Sequence, residues 1–198
     1  MTDINYILFD NFETLDAFGP VEILGQLPQI YRQRYFSLHG GLVTSRHGIP
    51  VLTEAISEID AGGILFIPGG MGTRKLVIDD AFLKKLLSLA EAASYVLTVC
   101  TGSALLAATG FLDGKRATSN KVAFPWASSI SEKVNWVYKA RWVRDENIYT
   151  SSGVSAGMDM VLGFISDLYG EEKAMEIAKY IEYIPNTDMN DDPFAAEN

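Results

Sequence analysis

One residue of the 198 carries a strong nucleophile: Cys100, the only cysteine, set in "YVLTVCTGSALLAATG" where an apolar β-rich run meets a run of small residues. A lone cysteine usually packs as a small hydrophobe, so its surroundings must argue for chemistry. Here a strand ending at Val99, then Cys100, then a helix from near Thr101 is the pattern of a nucleophile elbow. Such a sharp turn holds the side chain at the carboxyl end of a sheet, where open α/β sheets keep their sites. The unpaired N–H groups and positive dipole end of the following helix favour thiolate over thiol and can donate to an oxyanion. This pattern predicts a depressed Cys100 pKa. Gly102 permits close approach at the turn, and Ser103, Ala104, Ala107 and Ala108 suit tight helix packing.

Two further stretches can bring polar groups to the same place. "IPGGMG" puts Gly69 and Gly70 after another predicted strand, with bare backbone N–H groups directed into the crevice. "FETLDAFGPVEIL" predicts a first helix with Leu15, Phe18 and Val21 on its core side and Asp16 off that stripe. On its own Asp16 is an ordinary acid at a helix start. The two histidines, His39 after the second predicted strand and His47 in a hairpin turn, read as structural or exposed. One cysteine, two histidines eight apart and no HExxH make no metal-ligand set. GxGxxG is absent and "PGGMG" lacks the lysine of a P-loop, so no cofactor is expected.

The elements that must position these residues alternate. The runs "INYILF", "YFSLH", "GILFIPGG" and "YVLTVC" are short and rich in β-branched and aromatic residues, with helical patterns between several of them. That alternation predicts an α/β domain with a mostly parallel sheet. Helices are expected at about 79–93, capped by Asp79 or Asp80, at 155–169 and at 171–183. "LVTSRHGIPVLTEA" and "WVYKARWVRDENIYTSSG" read as antiparallel hairpins turning near His47–Gly48 and at "RDEN". No repeat or linker divides the chain, so residues 1–198 are read as one domain with a polar tail from about 186. The tail acids Asp188, Asp191 and Asp192 are expected in solvent, with Phe194 able to anchor the tail on a neighbour.

Composition narrows the partners. With 48% hydrophobic residues the chain can bury one core, and its net charge of −9 argues against nucleic acid or an anionic membrane as a partner. A single cysteine excludes an intramolecular disulfide. No stretch approaches the ~18–20 apolar residues of a membrane span. The start "MTDINYILFD" lacks a basic n-region, and a cytoplasmic protein acting on a small molecule is expected.

Taken together, "TLDAFGPVEIL", "LFIPGGMG", "VCTGSALLAATGFLDGKRATSN" and "YTSSGVSAGMDMVLGFI" resemble the ThiJ/PfpI superfamily of the class I glutamine amidotransferase-like fold, over about residues 4–185. They are most similar to its isocyanide hydratase branch. The resemblance implies a flavodoxin-like three-layer α/β/α sandwich with Cys100 as nucleophile, Asp16 as partner acid, Thr101 as a substrate or intermediate contact and Gly70 as a backbone donor. Gly69, Asn120, Ser152 and Gly153 complete the implied substrate and oxyanion-binding set. Many relatives carry a histidine where this chain has Asn120. Asparagine cannot act as a general base, so a Cys–His protease or amidase mechanism lacks its base. The implied activity is hydration of an isocyanide to an N-substituted formamide, classed as a lyase or hydrolase. The superfamily also hosts glyoxalase- and deglycase-like enzymes acting on 2-oxoaldehydes, and sensor domains fused to helix-turn-helix regulators. A homodimer is expected from the same resemblance, with Trp136, Tyr138 and Trp142 as candidate interface or core aromatics.

Overall fold

The first strand, β1 (Thr2–Ile7), buries its last four side chains without alternation. A strand does this when both faces of its sheet are covered. The structure, a computed structural model, describes residues 1–60 and 62–195. The other strands are β2 (Tyr31–Ser37), β3 (Gly41–Thr44), β4 (Pro50–Ala55), β5 (Ile64–Ile67), β6 (Tyr95–Val99), β7 (Arg116–Ala117), β8 (Asn135–Trp136), β9 (Trp142–Asp145) and β10 (Ile148–Ser151). The helices are α1 (Thr14–Gly25), α2 (Thr73–Leu76), α3 (Asp80–Ala92), α4 (Gly102–Thr109), α5 (Phe124–Ser129), α6 (Ala156–Tyr169) and α7 (Glu171–Tyr180).

Eight strands form one sheet in the order β3-β4-β2-β1-β5-β6-β10-β9. Only the outermost pairs, β3–β4 and β9–β10, are antiparallel; the neighbours between them run parallel. α1, α6 and α7 pack together, and α2, α3 and α5 gather around α4. The result is the flavodoxin-like arrangement of a mostly parallel sheet flanked by helices. Strand order reverses between β1 and β5, so the loops leaving their carboxyl ends meet there, and Phe12 pairs with Gly70 across the junction. Crevices at such a reversal are where this class of sheet binds ligands.

Local signals explain the helices. Asp79 caps α3, its Oδ1 accepting from the N–H groups of Ala81 and Phe82 at 3.1 and 3.0 Å. α4 stops at Gly110, whose left-handed backbone closes the last turn. α1 departs from expectation. Leu15 is 39% exposed whereas Asp16 is fully buried. Ala17, Pro20, Ile23 and Leu24 are buried with it. These residues share one face of the helix, and Leu15, Phe18 and Val21 lie on the other, which is exposed or half-buried; with apolar residues on both faces, hydropathy alone picks the wrong one as the core side.

The expected second hairpin is shorter than its sequence pattern. Trp142 opens it, while Asn135–Trp136 pairs in parallel with β7 in a separate two-stranded ribbon. Trp142 is buried, and Tyr138 and Trp136 pack edge-on against Phe124.

The tail also needs correcting. Asp188 and Asp191 are exposed, but Asp192 is only 1% exposed. Its carboxylate lies 3.5 Å from Arg141 and 3.7 Å from Lys121. Arg141 also grips Asp159, at 2.8 Å from Nε and 2.7 Å from Nη2. The N–H groups of Arg141 and Trp142 donate to the Met189 carbonyl, and Asn186 N–H donates to Asp159. The tail is docked because its acid meets cations far away in the sequence, which its own charge pattern does not reveal. Phe194 remains 70% exposed. No helix among the described residues is long and apolar enough to cross a membrane.

Candidate active site

Cys100 follows β6 directly, with φ at 56°, a left-handed backbone uncommon outside glycine. The surroundings hold it there. Its N–H donates to the carbonyls of Ser151 and Ser152, at 3.2 and 3.1 Å. Its carbonyl accepts from Ser103 Oγ at 3.0 Å and Ser119 Oγ at 2.9 Å. Thr101 immediately precedes α4, and both its N–H and its hydroxyl act as donors toward the sulfur.

Asp16 reaches this elbow from α1. Gly69 N–H donates to its Oδ2 at 2.9 Å, while Oδ1 is buried without a hydrogen-bond partner. The Cys100 thiol and the Val154 N–H also act on the carboxyl as donors, too loosely to satisfy Oδ1. Burial pushes the Asp16 pKa up to about 8. The Gly69 N–H pulls against burial, the Glu13 charge adds to it, and the thiol and Val154 oppose it further.

Gly69 must be glycine. A Cβ there would stand 2.5 Å from Thr101 N and 2.8 Å from Cys100 Cβ, closer than real atoms approach. The two glycines do not, however, offer free donors to the crevice as expected. Gly69 N–H is taken by Asp16, and Gly70 N–H donates to Thr101 Oγ1 at 3.0 Å. The first amide fixes Asp16 and the second fixes Thr101, the residue that follows Cys100.

The thiol too departs from expectation. Cys100 is 7% exposed. Burial drives its pKa up, the Asp16 charge adds to this, and the Thr101 donors only partly offset both. A helix terminus favours thiolate, but desolvation in this pocket is larger. The resting pair therefore holds both protons at neutral pH and releases the first near pH 8. Alkylation of Cys100 by iodoacetamide is expected to be slow at neutral pH and to accelerate only above the pH at which an ordinary thiol ionises, because burial and the Asp16 charge push the thiol up; a midpoint below pH 7 would restore the pre-ionised thiolate.

The remaining expected residues form a third wall. Asn120 Oδ1 accepts from Ala123 N–H at 2.9 Å, and its Nδ2 occupies the space a side chain on Gly153 would need. Ser152, 2% exposed, contributes its backbone: the carbonyl to Cys100, and the N–H to the Arg141 carbonyl at 2.9 Å. Val154, beside Gly153, has φ at 48°, a strained value for a β-branched residue, and it presents its N–H to Asp16. His39 and His47 are exposed, and neither acts on Cys100 or Asp16. Among the described residues no group of three or more His, Cys, Asp or Glu side chains is placed to hold a metal. A concavity of about 360 Å³ beside α6, α7 and the tail is lined by none of these site residues.

Several contributors went unnoticed in the sequence. Glu13, in the same "FETLD" stretch as Asp16, bears on both members of the pair. Its carboxylate is itself paired with Arg46 at 3.1 Å. Ser119 sits beside Asn120, and its hydroxyl gave no signal. Thr73 Oγ1 lies 3.2 Å from Thr101 Oγ1.

Comparison with known proteins agrees with this architecture. The DJ-1/PfpI family model matches residues 3–167. Isonitrile hydratase of Pseudomonas putida is 33% identical over 186 residues, covering 92% of this chain and 78% of that protein. The HTH-type transcriptional regulator GbdR of Pseudomonas aeruginosa is 28% identical over 91% of this chain, which spans only 50% of the regulator. Among solved structures, a ThiJ/PfpI family protein from Pseudomonas syringae superposes with a TM-score of 0.82 at 28% identity, covering 100% of this chain and 79% of the other. With a buried acid facing an elbow cysteine in this sheet, and with matches across most of its length, the chain belongs to the DJ-1/PfpI family.

Proposed function

We propose that this protein is a cofactor-independent isonitrile hydratase, converting an isocyanide to an N-substituted formamide. The observation that carries this reading is an acid whose pKa burial raises to about 8, set beside a nucleophilic sulfur. Hydration of an isocyanide needs a nucleophile and a proton donor at one carbon, and this pair supplies both. The 33% identity to an isonitrile hydratase supports the same reading.

The reacting form is thiolate beside protonated Asp16, one proton fewer than the resting pair. The sulfur lone pair forms a C–S bond at the terminal isocyanide carbon. Asp16 gives that carbon its proton, leaving a thioimidate on Cys100 and a carboxylate. Water then adds to the imidate carbon while Asp16 passes one water proton to the nitrogen. As the C–S bond breaks, Asp16 takes the hydroxyl proton, so formamide leaves and thiolate and acid are restored. The balance is isocyanide plus water.

The test compares turnover of cyclohexyl isocyanide, methylglyoxal and simple amides, with Cys100→Ala as the blank. Formamide production that Cys100→Ala abolishes is expected. Turnover of methylglyoxal alone would replace this reading with a glyoxalase. The likeness to GbdR favours one other reading, a sensor domain. Ready oxidation of Cys100 with no turnover of any compound would support it.

A cytoplasmic homodimer belongs to the same proposal. Leu42 and Leu52 pair across the β3–β4 hairpin and are 70% and 74% exposed, an apolar pair facing water on an edge hairpin. Light scattering is expected to give about twice 21.8 kDa, and Leu42→Glu to reduce it to the monomer mass. A monomeric wild type would rule the dimer out.

A further inference from the structure

Beside the Cys100 site stands a cation with no carboxylate of its own among the described residues. Of the seven arginines, Arg32, Arg34, Arg46, Arg141 and Arg144 each have a carboxylate oxygen within 4 Å. Arg116 is exposed to water. Arg74 is half-buried, and among the described residues no carboxylate lies within that distance of it. In a chain of net charge −9, acids are abundant, so the lack of one at a half-buried guanidinium calls for a physical reason.

The group is nevertheless fixed in place. Its Cζ lies 3.6 Å from the centroid of the Trp126 ring, so one face of the guanidinium is covered. Nη1 donates to Thr73 Oγ1 at 3.1 Å, and that hydroxyl donates to Thr101 Oγ1 at 3.2 Å. Two hydrogen bonds thus join Arg74 to the residue next to the nucleophile. A charge on Cys100 is felt at Arg74 as well, against the burial that lowers its pKa. Stacking occupies the face of a guanidinium and leaves its edge. The remaining N–H groups keep the fork geometry that matches a carboxylate.

We infer that Arg74, held by Trp126 and Thr73, recognises a carboxylate on the substrate, so that the substrate is a small anionic electrophile. This deepens the hydratase reading and rests on it for the reacting group: the favoured compound is an isocyanide carrying a carboxylate. The Cys100 thiolate and the nearby Glu13 charge would otherwise repel such an anion from the site. Arg74 supplies the opposite charge on the side of α2.

The test exploits the single cysteine. Alkylation of Cys100 by iodoacetate, which carries a carboxylate, is compared with alkylation by neutral iodoacetamide in wild type, Arg74→Met and Arg74→Lys. The iodoacetate-to-iodoacetamide rate ratio is expected to fall about tenfold in Arg74→Met, the scale of one charge-assisted hydrogen bond, and to recover in part in Arg74→Lys. Any change in thiol ionisation or local packing slows both reagents together and cancels in the ratio. A ratio unchanged within about twofold, including a parallel fall of both rates, overturns the inference.

A second arm measures kcat/KM for isocyanoacetate and its methyl ester. The acid is expected to be preferred by wild type and not by Arg74→Met, mainly through KM. Hydration of the ester as fast as the acid, with an unresponsive alkylation ratio, removes the carboxylate site and leaves the hydratase standing. If no isocyanide is hydrated, the hydratase reading fails, and the alkylation ratio still decides the role of Arg74.

Discussion

Asp16→Asn is expected to withstand more urea than the wild type at pH 8 while losing most of its turnover. The folded carboxyl titrates near 8 against an ordinary value of 3.8, with burial as the main cause. A raised acid pKa means that the folded chain holds a proton which the unfolded chain releases. The contribution of this group to stability is therefore greatest below about pH 4, falls as pH rises between 3.8 and 8, and levels above. At ~1.36 kcal/mol per unit, the cost at pH 7 reaches about 4 kcal/mol as an upper figure. The asparagine variant carries no such term, so the two proteins should be equally stable near pH 4 and diverge above it. Urea melts at pH 4, 6 and 8 measure the gap; a constant gap means that Asp16 titrates normally. Turnover should drop ~100- to 10,000-fold, the usual loss with a general acid. Asp16→Glu keeps the acid but displaces it, and ~1 Å of misplacement costs ~100-fold.

Arg141→Met is expected to cost about 3–5 kcal/mol, because it leaves Asp159 and Asp192 buried without their main cation. Arg141 is 5% exposed and both acids are 1% exposed, so water cannot take its place. Lys121 is a poor substitute. It lies 3.7 Å from Asp192, and burial lowers its pKa to about 8 despite that neighbour. The segment from about Tyr183 to Asp192 should come loose, seen as proteolytic cleavage there ahead of cleavage elsewhere. A loss below about 1 kcal/mol with the segment still protected would show that the pairs are screened as on a surface.

Much of this architecture was legible in the residues because it depends on local pattern. Short apolar runs, the Asp79 cap and the switch from strand to small-residue helix at Cys100 are readable one segment at a time. What misled was depth. A stripe through Leu15, Phe18 and Val21 places Asp16 away from the core, but α1 buries the opposite face, which carries Asp16 with Ala17, Pro20, Ile23 and Leu24. The thiol was expected to be ionised from the helix beginning after it, and that local effect is outweighed by burial that no neighbouring residue announces. Groups brought together from afar were also invisible: Ser119 on the Cys100 carbonyl, Val154 on Asp16, Trp126 under Arg74 and Asp192 against Arg141. The family resemblance supplied Asp16 and Cys100 as a pair, and the geometry shows what it does not: the Gly69 amide holds Asp16 and the Gly70 amide holds Thr101 beside Cys100.

The fastening of the elbow bears on what the protein can accept. The backbone of Cys100 is tied on one side to the Ser151 and Ser152 carbonyls and on the other to the Ser103 and Ser119 hydroxyls. Cys100, a residue 7% exposed on so anchored a chain, cannot swing out to meet a reagent. Reagents that reach it are therefore expected to be sorted by width. Two isocyanides of equal electrophilicity, one slender and one branched at the carbon next to nitrogen, are expected to react at rates ordered by width, and equal rates would show that no such sorting occurs.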